Sequence, residues 1–273
     1  MSVLTSKKMD NKLFRLQSKA WGVALRSMVL PLTCLLSRSD RRLAWRLAEV
    51  CSASEKGAVY PQVSLLSLVR PCTTVTLSEL PSEHFNVTEA ELLTLCAIAN
   101  LLRPTVAFEF GTADGRTTLN LAINVDREAR VYTLNLPLDQ DRTHRQDSPV
   151  GSRFRDHPAS DRIVQLWGDS AQFDFRPYEG RCQLVFIDAD HSAAAVYRDS
   201  ESALRLVDKR LGVILWHDAL RYGVRKSLPR FAHAASLPVH LLEGTNLALL
   251  CFANGSAIGP GDWAHTAGSM SHS

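Results

Sequence analysis

From residue 86 onward, short apolar runs alternate with longer stretches of helical spacing, and this alternation predicts the architecture. Thr88 followed three residues later by Glu91 is a capping-box pattern ahead of Leu92, Leu93, Leu95, Cys96, Ile98, Leu101 and Leu102, which predicts a helix over 88–102 that ends before Pro104. Strands fit 105–110, 130–136, 162–167, 182–188 and 212–217, with helices near 115–125, 192–206 and 221–234. Strands joined by crossover helices pair in parallel, and right-handed crossovers wind them into a sheet with helices on both faces. Val239–Leu242 and Leu247–Phe252 flank the short turn Glu243-Gly244-Thr245-Asn246, which predicts an antiparallel hairpin at the sheet edge. The expected fold is therefore α/β: a doubly wound, seven-stranded, mostly parallel sheet with an antiparallel edge hairpin.

Both ends of the chain depart from this rhythm. Residues 1–85 hold helical pieces broken by Pro31, Pro61, Pro71 and Pro81, and are expected to form a mainly helical N-terminal extension. Residues 255–273, rich in Gly, Ser, Ala and His, are expected to be a disordered tail in which His265 and His272 are solvated. The main domain is placed at 86–254.

Charge sharpens the picture of the N-terminus. The net charge is +3, but residues 1–50 hold ten Lys/Arg against three Asp/Glu, so that segment carries +7 and the rest −4. Lys8, Lys12, Arg15, Lys19 and Arg26 recur at helical spacing, as on a basic amphipathic helix. Such a helix packs against the main domain or forms a homodimer arm, with a peripheral membrane contact as the less favoured alternative. Trp21–Leu36 is too short to span a bilayer, which takes roughly 20 residues, and no cleavage site follows it. The six scattered cysteines form no CxxC pair or zinc spacing, which points to reduced thiols and a cytoplasmic protein.

The chemistry gathers where the strands end. Val106-Ala107-Phe108-Glu109-Phe110-Gly111-Thr112-Ala113-Asp114-Gly115 reads as a buried strand, a glycine turn and a helix start, with an acid two residues before the first glycine. The other expected parallel strands finish in Asn135, in Gly168-Asp169-Ser170, in Asp188-Ala189-Asp190-His191 and in His217-Asp218. Structural demands alone do not place a carboxylate, amide or imidazole at five strand ends, whereas ligands of open α/β sheets bind there. A dinucleotide dehydrogenase is disfavoured, because Ala113 stands where the second glycine of G-x-G-x-x-G is required.

With "VFIDADHS" at 185–192, "GVILWHDA" at 212–219, "GVRKSL" at 223–228 and "GTNLAL" at 244–249, residues 88–254 resemble the class I S-adenosylmethionine-dependent methyltransferases, in particular small-molecule O-methyltransferases. The resemblance implies a Rossmann-like methyltransferase fold with S-adenosylmethionine as cofactor. It implies that Glu109 holds the cofactor's ammonium group, that Gly111, Thr112 and Gly115 make room for its methionine portion, and that Asp169 and Ser170 receive the adenine. Asn135 stands where an acid normally accepts hydrogen bonds from the ribose hydroxyls, with Asp139 or Asp141 as candidate substitutes. His191 is the expected general base and His217 the competing one. Asp188 is assigned to the cofactor pocket and, with Asp218, to a shared Mg²⁺ or other divalent cation; Asp190 is either a third ligand or a cap. His217 weakens that cation site, since Mg²⁺ prefers oxygen ligands.

The expected reaction is O-methylation of a small-molecule hydroxyl, of sugar, natural-product or catechol-like type. Arg142, Arg145, Arg153 and Arg155, in the polar stretch 139–161, leave open an anionic acceptor or a solvated loop. Nucleic acid is an improbable substrate, supported only by the basic N-terminus, with no Asn-Pro-Pro-aromatic loop and no Pro-Cys pair. A catalytically silent cofactor-fold scaffold is the alternative from another class, motivated by Asn135 and the N-terminal arm.

Overall fold

The computed structural model describes residues 60–69, 73–83, 85–140 and 149–270. The expectations for the basic helix and for Asp141, Arg142 and Arg145 concern positions outside the described residues. Among the described residues, no helix is long and apolar enough to cross a membrane.

Among the described residues, nine strands form one sheet: β1 (Gln62–Val63), β2 (Val106–Phe110), β3 (Arg130–Asn135), β4 (Ile163–Trp167), β5 (Leu184–Ile187), β6 (Leu211–Trp216), β7 (His240–Leu242), β8 (Ala248–Ala253) and β9 (Ser256–Ile258). Their order is β1-β7-β8-β6-β5-β2-β3-β4, with β9 beside β8. Strands β2 to β6 pair in parallel, and β8 runs antiparallel to β6, β7 and β9. The chain leaves β2 toward β3 on one side and reaches β5 on the other, so the topological switch point lies between the carboxyl ends of β2 and β5.

Side-chain alternation divides the core into two layers. Ala107, Leu184, Phe186, Val213, Leu215, Leu249 and Cys251 face one layer, completed by helices α1 (Glu89–Leu102), α2 (Arg116–Ile123) and α5 (Pro260–Met270). Phe108, Phe110, Val185, Ile187, Ile214, Trp216 and Leu250 face the other, under α3 (Ala193–Leu206) and α4 (Tyr222–Ala234). Burial on both faces explains why the central strands read as continuous apolar runs. The cysteines at 96, 182 and 251 are buried free thiols within these layers.

Three boundaries differ from the sequence expectation. The described residues give the sheet nine strands where seven were expected, and the hairpin does not end it: β8 inserts beside β6, and two-residue β1 lies outside β7. Residues from Tyr60 onward belong to the sheet unit, and Tyr60, Leu68 and Val87 are buried in its core, so the extension cannot run to residue 85. Residues 256–270 are not a disordered tail. Ser256–Ile258 pairs with β8, and α5 buries Trp263, Ala264 and Ala267 against α1. The apolar face of this short helix outweighs its Gly and Ser content.

Helix α1 starts on the expected capping box: Thr88 Oγ1 accepts from the Glu91 amide at 3.1 Å, and Glu91 Oε2 accepts from the Thr88 amide at 2.7 Å. Arg116 clasps the preceding segment from inside. Its fully buried guanidinium donates to the carbonyls of Glu79, Leu80 and Val87 at 3.2, 2.8 and 2.8 Å.

Candidate active site

The switch point is built around Gly111. It takes φ +93°, and a β-carbon there would collide with the Asp188 carbonyl at the end of β5. The turn continues through Ala113, also at positive φ, to Gly115, the N-cap of α2. Part of the polar stretch lies over this turn: the Gly151 amide donates to Ala113, Arg153 pairs with Asp114 at 2.7 Å, and the Phe154 ring rests against Gly115. Arg153 is thus committed to the turn, while Arg155 is exposed.

Glu109 sits beneath the turn with 1% of its surface exposed. Its carboxyl accepts from the hydroxyls of Thr118 and Thr133. Burial pushes its pKa up to about 8 against the pull of those hydroxyls, and nearby Asp188 and Asp114 add to the rise. Thr112 Oγ1 is 2.8 Å from Thr133 Oγ1. Asn135 closes the turn from β3: Oδ1 accepts from the Thr112 amide at 3.2 Å, and Nδ2 donates to the Leu136 carbonyl at 3.1 Å. Next along the edge, Asp169 accepts from the Ala171 amide at 2.9 Å. Ser170 lies beside the buried carboxyl of Asp199 on α3, whose pKa burial raises to about 6. Asp139 is exposed beyond β3.

A chain of charged groups spans the ends of β5 and β6. His191 Nε2 lies 2.9 Å from Asp218 Oδ2 and 3.6 Å from Asp188 Oδ1. His217 Nδ1 lies 3.0 Å from Asp188 Oδ1, and its Nε2 3.3 Å from Glu91 Oε2 on α1. Arg221 Nη1 donates to Asp218 Oδ2 at 2.6 Å. Asp218 itself adopts φ +54°, a left-handed conformation in which strain collects at functional positions. Burial works against charge throughout this chain, but the partners win: Asp188, Asp218 and Glu91 are held below the usual carboxylate range by the histidines. Burial lowers the His191 pKa, yet Asp188 and Asp218 carry it to about 9, and His217 is likewise raised well above its ordinary value. Asp190 accepts from the Ser192 amide and hydroxyl at 2.8 and 3.0 Å, and Ser192 in turn caps α3 by accepting from the Ala195 amide at 3.3 Å.

The expected site residues thus fall into two neighbouring groups, joined where Gly111 touches Asp188. Glu109, Gly111, Thr112, Gly115 and Asn135 form the first; Asp188, His191, His217 and Asp218 form the second; Asp169 and Ser170 stand farther along the edge. Glu91 and Arg221 were not foreseen as site residues. Glu91 was legible only as half of a capping box, because nothing local links positions 91 and 217.

A doubly wound sheet with a glycine turn and a buried acid at its switch point has these groups where open α/β sheets bind their ligands. Residues 108–219 match the family described as a methyltransferase domain. No curated protein matches the chain. Among solved structures, it is similar to the O-methyltransferase TomG from Streptomyces achromogenes, involved in tomaymycin synthesis and solved with SAM. There the identity is 17%, the TM-score 0.49, and 63% of this chain and 83% of the other are covered. It is also similar to an O-methyltransferase from Bacillus cereus solved with SAH, at 21% identity and TM-score 0.48, covering 64% and 84%.

Proposed function

We propose that the chain transfers the methyl group of S-adenosylmethionine to the oxygen of a small-molecule hydroxyl, with His191 as general base. The observation that carries this reading is the position of His191. One third exposed, it stands on a narrow cleft lined by Ile187, Asp188, Ala189, Trp216 and His217, beside the glycine turn. Methyl transfer from a sulfonium needs the acceptor oxygen in line with the methyl carbon, so positioning supplies much of the acceleration. A hydroxyl acceptor must also lose its proton, and a partly exposed imidazole is suited to take it.

In this reading Glu109 receives the cofactor's ammonium group, the Gly111–Gly115 turn its methionine chain, and Asp169 and Ser170 its adenine. Asn135, engaged with Thr112, supports the turn and offers the ribose less than a charged acid would. Against burial, Asp188 and Asp218 favour the protonated form of His191, carrying its pKa to about 9. A sulfonium cation arriving beside it disfavours the imidazolium and brings it toward the basic form.

Calorimetry with S-adenosylmethionine tests the reading first: no binding at millimolar cofactor overturns it in favour of a silent scaffold. A mass-shift screen of an extract from the protein's own source, with labelled cofactor, then identifies the acceptor. His191→Ala is expected to keep cofactor affinity and lose turnover; equal loss of both marks the histidine as structural.

A further inference from the structure

Two acids at the ends of adjacent strands, Asp188 and Asp218, have the placement of a divalent-cation site. Asp188, His191 and His217 bring potential ligand atoms within 4.8 Å of one another. The donor set nevertheless does not suit such an ion. Mg²⁺ seeks an octahedron of oxygens and keeps several waters. Here the carboxylate oxygens that face the gap already face nitrogen: His217 and His191 on Asp188, His191 and Arg221 on Asp218.

His217 decides the matter, because both of its ring nitrogens meet carboxylates. Nδ1 faces Asp188 at 3.0 Å and Nε2 faces Glu91 at 3.3 Å. Glu91 cannot turn away, since Oε2 accepts from the Thr88 amide and Oε1 from the Asn246 amide at 2.8 Å. A neutral imidazole would set a nitrogen lone pair against one of these buried oxygens. With a proton on each nitrogen, both contacts are hydrogen bonds, and the ring keeps no lone pair for a metal. Three carboxylates (Glu91, Asp188, Asp218) thus face the nitrogen atoms of His191, His217 and Arg221.

We infer that the His217 imidazolium, fixed by Glu91, takes the place of a divalent cation between the strand-end acids, so that the site works without metal and residue 217 decides whether a metal binds. Glu91 is then a positioning residue acting through His217. The inference rests on the proposed methyl transfer only for the use to which the site is put.

Manganese is the probe. Calorimetric or EPR titration of the full chain with Mn²⁺ is expected to show no saturable site, and EDTA should change turnover and S-adenosylmethionine affinity by no more than about twofold, where a metal-dependent enzyme loses far more. Glu91→Gln/His217→Asp removes the buried cation, supplies an oxygen ligand and keeps the capping box. This variant is expected to gain saturable Mn²⁺ binding that a further Asp188→Asn abolishes. In ¹⁵N spectra of imidazole-labelled protein, His217 should show two protonated ring nitrogens at pH 7, and Glu91→Gln, which leaves the cap intact, should shift it toward a neutral tautomer. Stoichiometric Mn²⁺ binding by the wild type, or a neutral His217 at pH 7, overturns the inference, and both readouts stand even where the double variant fails to fold. Absent cofactor binding would instead overturn the methyltransferase reading and leave the Mn²⁺ and ¹⁵N results to stand alone.

Discussion

Gly111 and Asp188 touch backbone to backbone: the α-carbon of the glycine turn lies so close to the Asp188 carbonyl that no side chain fits between them. Gly111→Ala therefore forces β2 and β5 apart at the switch point and also strains a residue at φ +93°. We expect a loss of about 3 kcal/mol in urea unfolding, together with loss of cofactor binding in the folded fraction. A variant as stable as wild type would show that the turn relaxes freely.

Stability should fall as pH rises from about 6.5 to 9. His191 has an ordinary value of 6.5 and a folded value of about 9, so over this window the folded chain holds a proton that the unfolded chain has released. Glu109, moved from 4.5 to about 8, acts in the same direction below its folded value, and so does His217. Thermal melts across this range should show a declining midpoint, with a shallower decline in His191→Gln. A flat profile in the wild type would contradict the raised values.

The same His191 value bears on rate. If His191 takes the acceptor proton, kcat/KM of the free enzyme rises with pH through a limb near 9, and His191→Gln removes that limb along with most of the turnover. An acceptor that ionises unaided would leave the rate insensitive to the substitution.

Much of this framework was legible in the chain itself. The Thr88/Glu91 capping box, the alternation of apolar runs with helices and the polar strand ends placed α1, the central strands and both histidines near their true positions. What escaped was set by tertiary contact. Strand β1 is two residues long and exists only because β7 lies beside it. Helix α5 carries a real signal, Trp263, Ala264 and Ala267 on one face, but polar composition masked it. Glu91 served its local purpose as a cap so completely that its second role left no trace in sequence.

Cofactor binding should release protons. The ammonium group of S-adenosylmethionine, placed beside Glu109, would favour the ionised carboxylate, whose pKa burial raises to about 8. Calorimetry at pH 7 in buffers of different ionisation enthalpy should report a release approaching one proton, absent in Glu109→Gln. Equal heats across buffers would place the ammonium elsewhere.

Arg116 is expected to hold residues 79–87 in place. Arg116→Met removes the buried donor of the Val87 carbonyl and the bonds to the Glu79 and Leu80 carbonyls, and should cost about 2 kcal/mol. Limited proteolysis should open first within 79–87; unchanged protection there would assign the clasp to the capping box alone.

The strand order also dictates when the sheet can close during synthesis. β6 stays an open edge until Ala248–Ala253 has emerged, and Gln62–Val63, made long before, has no partner until His240–Leu242 is docked against β8. A nascent or truncated chain ending short of residue 248 thus exposes the apolar edge of β6, a template for association with other chains. The stretch from residue 240 onward, about an eighth of the polypeptide, acts as the closing seam of the sheet, and nonsense or frameshift changes ahead of residue 248 should yield insoluble protein rather than a shortened one.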